Sequence, residues 1–235
     1  MTDLNKFDNN PIMHIIKLSN IHKSYQDGEN RQNNILRGIN IEIEAGEFVA
    51  IKGQSGSGKT TLLSILGTLL QPDSGNYLLN GNEMVSTSID HSEIRNKQIG
   101  FVFQDHRLMP QYTVLENILL PTLAKASQTS REEVQYAHKL LELTHIANVA
   151  KQYPHTLSGG EASRVAVCRA LIMKPLLLLA DEPTGQLDAE NARNIASLLS
   201  DINKSLQTTI VMVTHSEETS AIAHRTLTLK EGILI

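Results

Sequence analysis

The segment 53–60, GQSGSGKT, has residue types and spacing suited to binding phosphate. Its glycines let successive backbone N–H groups point at one anion, and a helix that begins behind them adds the positive end of its dipole. In such a loop Lys59 reaches the β- and γ-phosphates of a nucleotide and stabilises their charge, while the Thr60 hydroxyl ligates Mg²⁺. The predicted nucleotide contacts are Gly53, Gln54, Ser55, Gly56, Ser57, Gly58, Lys59, Thr60 and Thr61.

A second set of reactive side chains follows the apolar run 176–180, LLLLA, which predicts a strand covered on both faces. Asp181 and Glu182 come directly after it, at the end of a parallel strand where ligand sites of α/β sheets lie. Asp181 can hold Mg²⁺ directly or through water, and Glu182 can orient or deprotonate an attacking water. Alone, such a pair could simply begin a surface loop. Beside a phosphate-binding loop it predicts metal-assisted hydrolysis.

The elements that must position these groups follow from apolar patterns. Phe48–Ile51 predicts the strand that leads into the loop, and 61–66 predicts the helix behind it. Strands alternating with helices around such a loop indicate a mostly parallel α/β sheet. Further predicted strands are 14–25, 39–44 (half-exposed and antiparallel), 77–79 (entering a hairpin at Asn80-Gly81), 99–103, 209–214 and 226–229 (an edge strand).

Residues 104–165 are more polar and predict helices, with capping boxes at Thr113–Glu116 and Ser130–Glu133. We interpret this region as a helical insertion into the core. The predicted division is a flexible leader at 1–13 and one domain at 14–235, in which 14–103 and 166–235 form the core and 104–165 the insertion.

Composition limits the classes of function. The 235 residues suffice for one large domain. The net charge of −4 lacks the excess of basic residues that is typical of proteins that bind nucleic acid. No apolar run approaches the roughly 20 residues of a membrane-spanning helix, and the polar first ten residues do not make a secretory signal. The single cysteine, Cys168, excludes an intrachain disulfide, fits a reducing cytosol, and is expected to be buried and inert.

The segment 157–161, LSGGE, resembles the signature motif of ATP-binding cassette (ABC) proteins. Ser158 and the glycines after it open a predicted helix, which makes a second anion site at a helix N-terminus. Two phosphate sites in one chain make sense if two copies pair head to tail. The resemblance implies that arrangement, with Ser158, Gly159, Gly160 and Glu161 contacting the nucleotide of the other copy.

The resemblance implies roles for further residues, and with them ATP and Mg²⁺ as cofactors. Tyr25 would stack on adenine, and Gln104 would sense Mg²⁺ and the attacking water. Glu182 would be the general base, and His215 would contact the γ-phosphate. Asp188 would link the two sites across the dimer interface through the loop 185–188, besides capping the helix after it.

The implied fold is a P-loop NTPase (RecA-like) core with an antiparallel β subdomain and an inserted α-helical subdomain. Two departures from the family pattern stand out. Ala162 and Ser163 replace glutamines after the signature, and Gln186 stands where close relatives usually have asparagine. Neither changes a presumed catalytic group, so we expect hydrolysis to survive.

The segment 100–104, GFVFQ, resembles ATPases of the lipoprotein-releasing, macrolide-exporter and cell-division cassettes, as do the residues His106, Leu108, Pro110, Thr113, Glu116 and Asn117. The resemblance implies a peripheral subunit on the cytoplasmic face of the bacterial inner membrane, which powers a separate membrane subunit docked near 104–120, for export or extrusion of lipoprotein or envelope substrates. An importer ATPase is the alternative. A soluble cassette acting on ribosomes or DNA is a weaker one, because the chain has no tandem cassette, long coiled coil or basic charge.

Overall fold

The computed structural model describes residues 14–27, 31–85, 90–124 and 126–235. The predicted leader at 1–13 lies outside these residues. The strands are β1 (His14–Asp27), β2 (Arg31–Glu44), β3 (Phe48–Lys52), β4 (Ser74–Leu79), β5 (Asn82–Glu83), β6 (Ile99–Val102), β7 (Leu177–Asp181), β8 (Thr209–Thr214), β9 (Arg225–Lys230) and β10 (Ile233–Leu234). The α-helices are α1 (Lys59–Leu66), α2 (Ser92–Gln98), α3 (Val114–Leu119), α4 (Arg131–Leu143), α5 (Gly159–Leu171), α6 (Ala189–Leu206) and α7 (Glu217–Ser220). Short 3-10 helices lie at Leu120–Ala124, Ala147–Val149 and Pro154–Thr156.

Two sheets organise the described chain. One is antiparallel, with spatial order β2-β1-β4-β5. The other has the order β10-β9-β3-β8-β7-β6, and in it β3, β6, β7, β8 and β9 run parallel. The phosphate-binding loop follows β3, and Asp181 ends β7, so both predicted groups lie at the carboxyl edge of the parallel sheet. The predicted α/β fold with an antiparallel β subdomain is confirmed.

The central strands are apolar throughout because both of their faces are covered. In β3, Phe48 and Ala50 point into a core shared with α3, α4, α5 and α6. Val49 and Ile51 point into a second core shared with α1 and the antiparallel sheet. Successive side chains of a strand face opposite sides, so each run without polar residues serves two cores at once.

Helix caps fix the ends of the helical region. In the box before α3, the Thr113 hydroxyl accepts from Glu116 N–H at 3.3 Å and the Glu116 carboxylate accepts from Thr113 N–H at 2.7 Å. Ser130 and Glu133 form the same box before α4, so both predicted boxes are confirmed. The predicted division at residue 165 falls inside α5, which runs unbroken from Gly159 to Leu171.

The structure differs from the sequence interpretation at several elements. The strand predicted at 226–229 is not an edge strand, because β9 lies between β3 and β10. The alternation of polar and apolar residues in β9 reflects a half-exposed face. The strand β10, with two residues, is too short to produce a pattern in the sequence. The helix α2 was not predicted, since it is polar and buries none of its residues fully.

Candidate active site

The phosphate-binding loop connects β3 to α1 in a conformation that requires glycine at its end. Gly58 precedes the first residue of α1 with φ of 101°, a region that L-residues rarely adopt. A Cβ at this position would also lie 3.0 Å from Cγ2 of Ile35. The bend leaves the N-terminus of α1 free to receive an anion.

Lys59 begins α1 and is only 8% exposed. Its Nζ donates to the carbonyl oxygens of Gly53 at 2.8 Å and Gln54 at 3.0 Å, and it lies 3.6 Å from Oε1 of Glu182. The ammonium group is therefore held between the loop and the end of β7, where a bound phosphate would give it a further anionic partner.

Thr60 and Asp181 bring an oxygen pair together beside this lysine. The Thr60 hydroxyl donates to Oδ1 of Asp181 at 3.3 Å. Burial raises the pKa of Asp181, the Thr60 hydrogen bond opposes that rise, and the neighbouring charge of Glu182 adds to it. A hydroxyl and a carboxylate are the oxygen donors that Mg²⁺ takes in nucleotide sites, so the residues fit the predicted metal.

Glu182 points away from Asp181 because its backbone is left-handed, with φ of 46°. Its N–H donates to the carbonyl oxygen of Val213 at 3.0 Å, which ties the turn to β8. Its Oε2 lies 2.7 Å from Nδ1 of His215 and accepts from the His215 backbone N–H at 3.3 Å. Glu182 thus faces Lys59 with Oε1 and His215 with Oε2.

A cleft of about 700 Å³, which we name the phosphate cleft, is lined by Lys59, Thr60, Glu182 and His215 but not by Asp181. Predicted site residues in its lining are Ser55, Gly56, Gly58, Lys59, Thr60, Thr61, Gln104, Glu182 and His215. Gly53, Gln54 and Ser57 line an adjoining cleft with Lys52 and Glu217. The phosphate-binding loop, Gln104, Glu182 and His215 therefore meet where β3, β6, β7 and β8 end.

Ile35 on β2 also lines this cleft and was not predicted. Its neighbour Leu36 is buried in the core, so Ile35 must face the other side of the strand. Two adjacent apolar residues in the otherwise polar stretch 31–38 were the signal that could have identified it.

Tyr25 lies at the end of β1, opposite Asn33 of β2, and is 46% exposed. The Lys23 ammonium lies 5.8 Å from the centre of its ring. Within the described residues, Tyr25 does not belong to the lining of the phosphate cleft. Its predicted contact with adenine stays a prediction.

The signature residues lie at the N-terminus of α5 in a third capping box. The Ser158 hydroxyl accepts from Glu161 N–H at 3.3 Å, and the Glu161 carboxylate accepts from Ser158 N–H at 2.8 Å. The Ser158 hydroxyl also donates to the Glu161 carboxylate at 2.7 Å, and this bond, together with the one from Ser158 N–H, lowers the pKa of Glu161. Of the described residues that line the phosphate cleft, none comes from 158–161. One chain therefore does not bring its own signature to its own phosphate-binding loop.

Asp188 caps α6, as predicted. Its Oδ1 accepts from Asn191 N–H at 2.9 Å and its Oδ2 from Asn191 Nδ2 at 2.6 Å, which lowers the pKa of Asp188. Asn191 also neighbours the signature, because a Cβ on Gly160 would lie 3.0 Å from its Oδ1. Leu187 of the interface loop (185–188) also neighbours the start of α5, because a Cβ on Gly159 would lie 3.2 Å from its Cδ2.

Cys168 is fully buried in α5, and its Sγ lies 3.2 Å from the Thr144 hydroxyl. Burial raises the pKa of the thiol to about 12. Across the described ranges, no helix has the length and apolar character needed to cross a membrane.

Comparisons with known proteins identify the family of this chain. The family model described as ABC transporter matches residues 36–185. The lipoprotein-releasing system ATP-binding protein LolD of Rhodopirellula baltica is 42% identical over 94% of this chain and 96% of its own length. The macrolide export ATP-binding/permease protein MacB of the same bacterium is 42% identical over 94% of this chain and 32% of MacB.

A solved dimeric ATP-binding cassette in a post-hydrolysis state, bound to ADP and Pi, is 37% identical with a TM-score of 0.83, over 93% of this chain and 96% of that chain. These similarities confirm the predicted family, its fold and its ATPase activity. The chain belongs to the ABC transporter family, as a nucleotide-binding subunit that binds and hydrolyses ATP.

Proposed function

We propose that this chain powers a lipoprotein-releasing or closely related export system from the cytoplasmic face of the bacterial inner membrane. Its partners are a second copy of itself and a separate membrane subunit. The proposal draws on near-full-length similarity to LolD proteins of several bacteria and on the segment 100–117, which resembles the same group. The observation that carries hydrolysis is the placement of Glu182, within 3.6 Å of Lys59 and 2.7 Å of His215.

The residues at the strand ends divide the work of phosphoryl transfer, which depends mainly on positioning and charge stabilisation. Lys59 binds the β- and γ-phosphates, Thr60 and Asp181 would hold Mg²⁺, and Gln104 would sense the metal and the attacking water. Bound Mg²⁺ would neutralise charge on the phosphate oxygens. Glu182 orients the attacking water and accepts its proton, and Tyr25 packs on the adenine.

The contacts of Glu182 suggest how nucleotide arrival prepares the site. In the structure the Lys59 ammonium group faces the Glu182 carboxylate and also donates to the carbonyl oxygens of Gly53 and Gln54. A γ-phosphate beside Lys59 provides a stronger anionic partner for it, which frees Oε1 of Glu182 for water. His215 keeps Oε2 in place at 2.7 Å, so the carboxylate stays oriented while its other oxygen changes partner.

The second copy completes each site by presenting Ser158, Gly159 and Gly160 to the nucleotide held by the first. The N-terminus of α5 supplies backbone N–H groups and a positive dipole end to the γ-phosphate. Because these contacts exist only in the closed pair, ATP shifts the population toward closure and hydrolysis reverses the shift.

The membrane subunit docks near 104–120, beside a groove of about 320 Å³ that is lined by aromatic, aliphatic and arginine side chains. We name this surface the arginine groove; it includes Arg95, Phe101, Phe103, Arg107, Arg169 and Met173. No Asp or Glu among the described residues lines it. A segment with an acidic side chain among apolar ones would complement this surface.

Affinity purification from detergent-solubilised bacterial membranes tests the proposal. We expect the tagged chain to recover a membrane polypeptide with a large extracytoplasmic domain, identified by mass spectrometry. Arg107→Glu should reduce its recovery several-fold, since it reverses charge in the groove. Arg193→Glu on α6 is the matched control, because Arg193 is exposed and pairs with Glu218 outside the groove.

A recovered membrane subunit that engages a solute-binding protein would instead indicate import. Recovery of ribosomal proteins, with no membrane polypeptide, would contradict transport altogether.

A further inference from the structure

The interface loop and the segment that carries Gln104 are joined by one side-chain hydrogen bond. Gln186 Nε2 donates to Oδ1 of Asp105 at 2.9 Å. Asp105 directly follows Gln104, and Gln186 lies two residues before Asp188. The two loops are also close at Gly185, where a Cβ would lie 3.5 Å from Nε2 of Gln104.

The length of the Gln186 side chain allows this bond. Asparagine is shorter by one carbon–carbon bond of about 1.5 Å, which with an unchanged backbone would place its amide beyond hydrogen-bond distance of Asp105. The bond therefore depends on the length of the glutamine side chain at this position.

The Gln104 segment (104–107) is anchored on its other side by α5. The Arg169 guanidinium donates to the carbonyl oxygens of Arg107 and His106, both at 2.6 Å. His106 and Arg107 are consecutive left-handed residues, with φ of 56° and 49°. Such conformations persist where surrounding contacts hold them. Arg169 thus holds the Arg107 end of the segment, and Gln186 can position the Gln104 end through Asp105.

We propose that Gln186 is a positioning residue for Gln104. Its bond to Asp105 couples the interface loop to the Gln104 segment, so that closure around Asp188 and placement of Gln104 in the cleft occur together. This inference rests on the proposed role of Gln104 and on the two-copy site.

A charge exchange between the two side chains tests the coupling in the full-length chain. Gln186→Glu faces the Asp105 carboxylate with a second one and breaks the bond, and Gln186→Asn makes the side chain too short. Asp105→Asn keeps an acceptor oxygen for Gln186. In the double variant Asp105→Asn with Gln186→Glu, the amide introduced at position 105 can donate to the new carboxylate.

We expect Gln186→Glu and Gln186→Asn to lower kcat for ATP by about 3- to 10-fold, the range that one hydrogen bond of ordinary strength supports. KM for ATP and the melting temperature should stay close to those of the unmodified chain, because the phosphate-binding loop is untouched. The double variant should recover most of the loss. Gln128→Glu, which adds the same charge on an exposed loop, is the control.

Unchanged kcat in both single Gln186 variants would overturn the inference, as would a Gln186→Glu defect that Asp105→Asn does not relieve. If the Gln186 variants lose melting temperature together with kcat, Gln186 has a structural role only. These results are distinguishable from failure of the proposed function, which would appear as absent ATPase activity in the unmodified chain or undiminished activity of Glu182→Gln.

Discussion

Glu182 adopts a left-handed backbone conformation that costs an ordinary residue about 1–2 kcal/mol. The conformation changes the direction of the Glu182 side chain. On an extended strand, two adjacent carboxylates would point to opposite faces of the sheet. The turn instead leaves Asp181 beside Thr60 and carries Glu182 to Lys59 and His215. One carboxylate can then serve a metal and its neighbour a water.

Glu182→Gln should retain ATP binding, lower turnover by at least about 100-fold and accumulate an ATP-bound dimer, because the amide cannot accept the proton of water. Lys59→Ala is the contrasting variant, since it removes the ammonium group that binds phosphate and should abolish binding as well as turnover. Steady-state ATPase assays and equilibrium nucleotide binding separate the two. Undiminished hydrolysis by Glu182→Gln would contradict its assignment as base, and tight ATP binding by Lys59→Ala would contradict the phosphate role.

Sequence could predict the residues of this cleft that follow a strand or occupy a spaced motif. Asp181, Glu182 and His215 each come at the end of a strand with a continuous apolar run, and Lys59 occupies a spaced glycine-rich motif. The bond from Gln186 to Asp105 spans 81 residues between two exposed loops. No local pattern encodes such a contact, because it depends on how two loops meet in space.

At the scale of elements, α4 and α5 begin with the same capping box but have different surroundings. Ser130 and Ser158 each accept from the N–H of the residue three positions on, at 3.1 Å and 3.3 Å. The box before α4 has no part in the proposed nucleotide site. The box before α5 also shapes the anion site that we assign to the other copy's nucleotide.

Ser130→Ala and Ser158→Ala should each lower the free energy of unfolding by about 1 kcal/mol through loss of the cap. Only Ser158→Ala should also lower ATPase activity, because the Ser158 hydroxyl lies in the signature as well as in the helix cap. Urea unfolding and ATPase assays on the two variants make a matched comparison. Equal ATPase activity in both would argue that the Ser158 hydroxyl acts only as a helix cap.

The predictability of each element followed from its burial. The strands β3, β7 and β8 could be predicted because both of their faces are covered, which leaves a continuous apolar run. The polar α2 and the two-residue β10 could not, since one is half exposed and the other relies on pairing with β9. The boundary proposed at residue 165 had no physical marker, because α5 passes through it.

At the scale of the whole molecule, the six-stranded sheet separates two cores and presents its carboxyl edge to the nucleotide. The signature at the start of α5 is absent from the described lining of that cleft. A complete site therefore requires a second molecule in the proposed mechanism. In that mechanism one copy can bind ATP, but hydrolysis requires both copies.

Ser158→Arg should leave ATP binding by one copy intact and prevent closure, because a long charged side chain would fill the space of the opposing phosphate. In the Glu182→Gln background, which favours the closed pair, light scattering with ATP should find dimers only when Ser158 is intact. An ATP-dependent dimer that forms with Ser158→Arg would rule out the two-copy site as described.

The unbroken course of α5 has a mechanical consequence. Its 13 residues extend about 20 Å, with the signature at one end and Arg169, which lines the arginine groove, near the other. A continuous helix of this length can carry a displacement from one end to the other. In the proposed mechanism, closure at the signature would therefore move the arginine groove and the membrane subunit docked beside it.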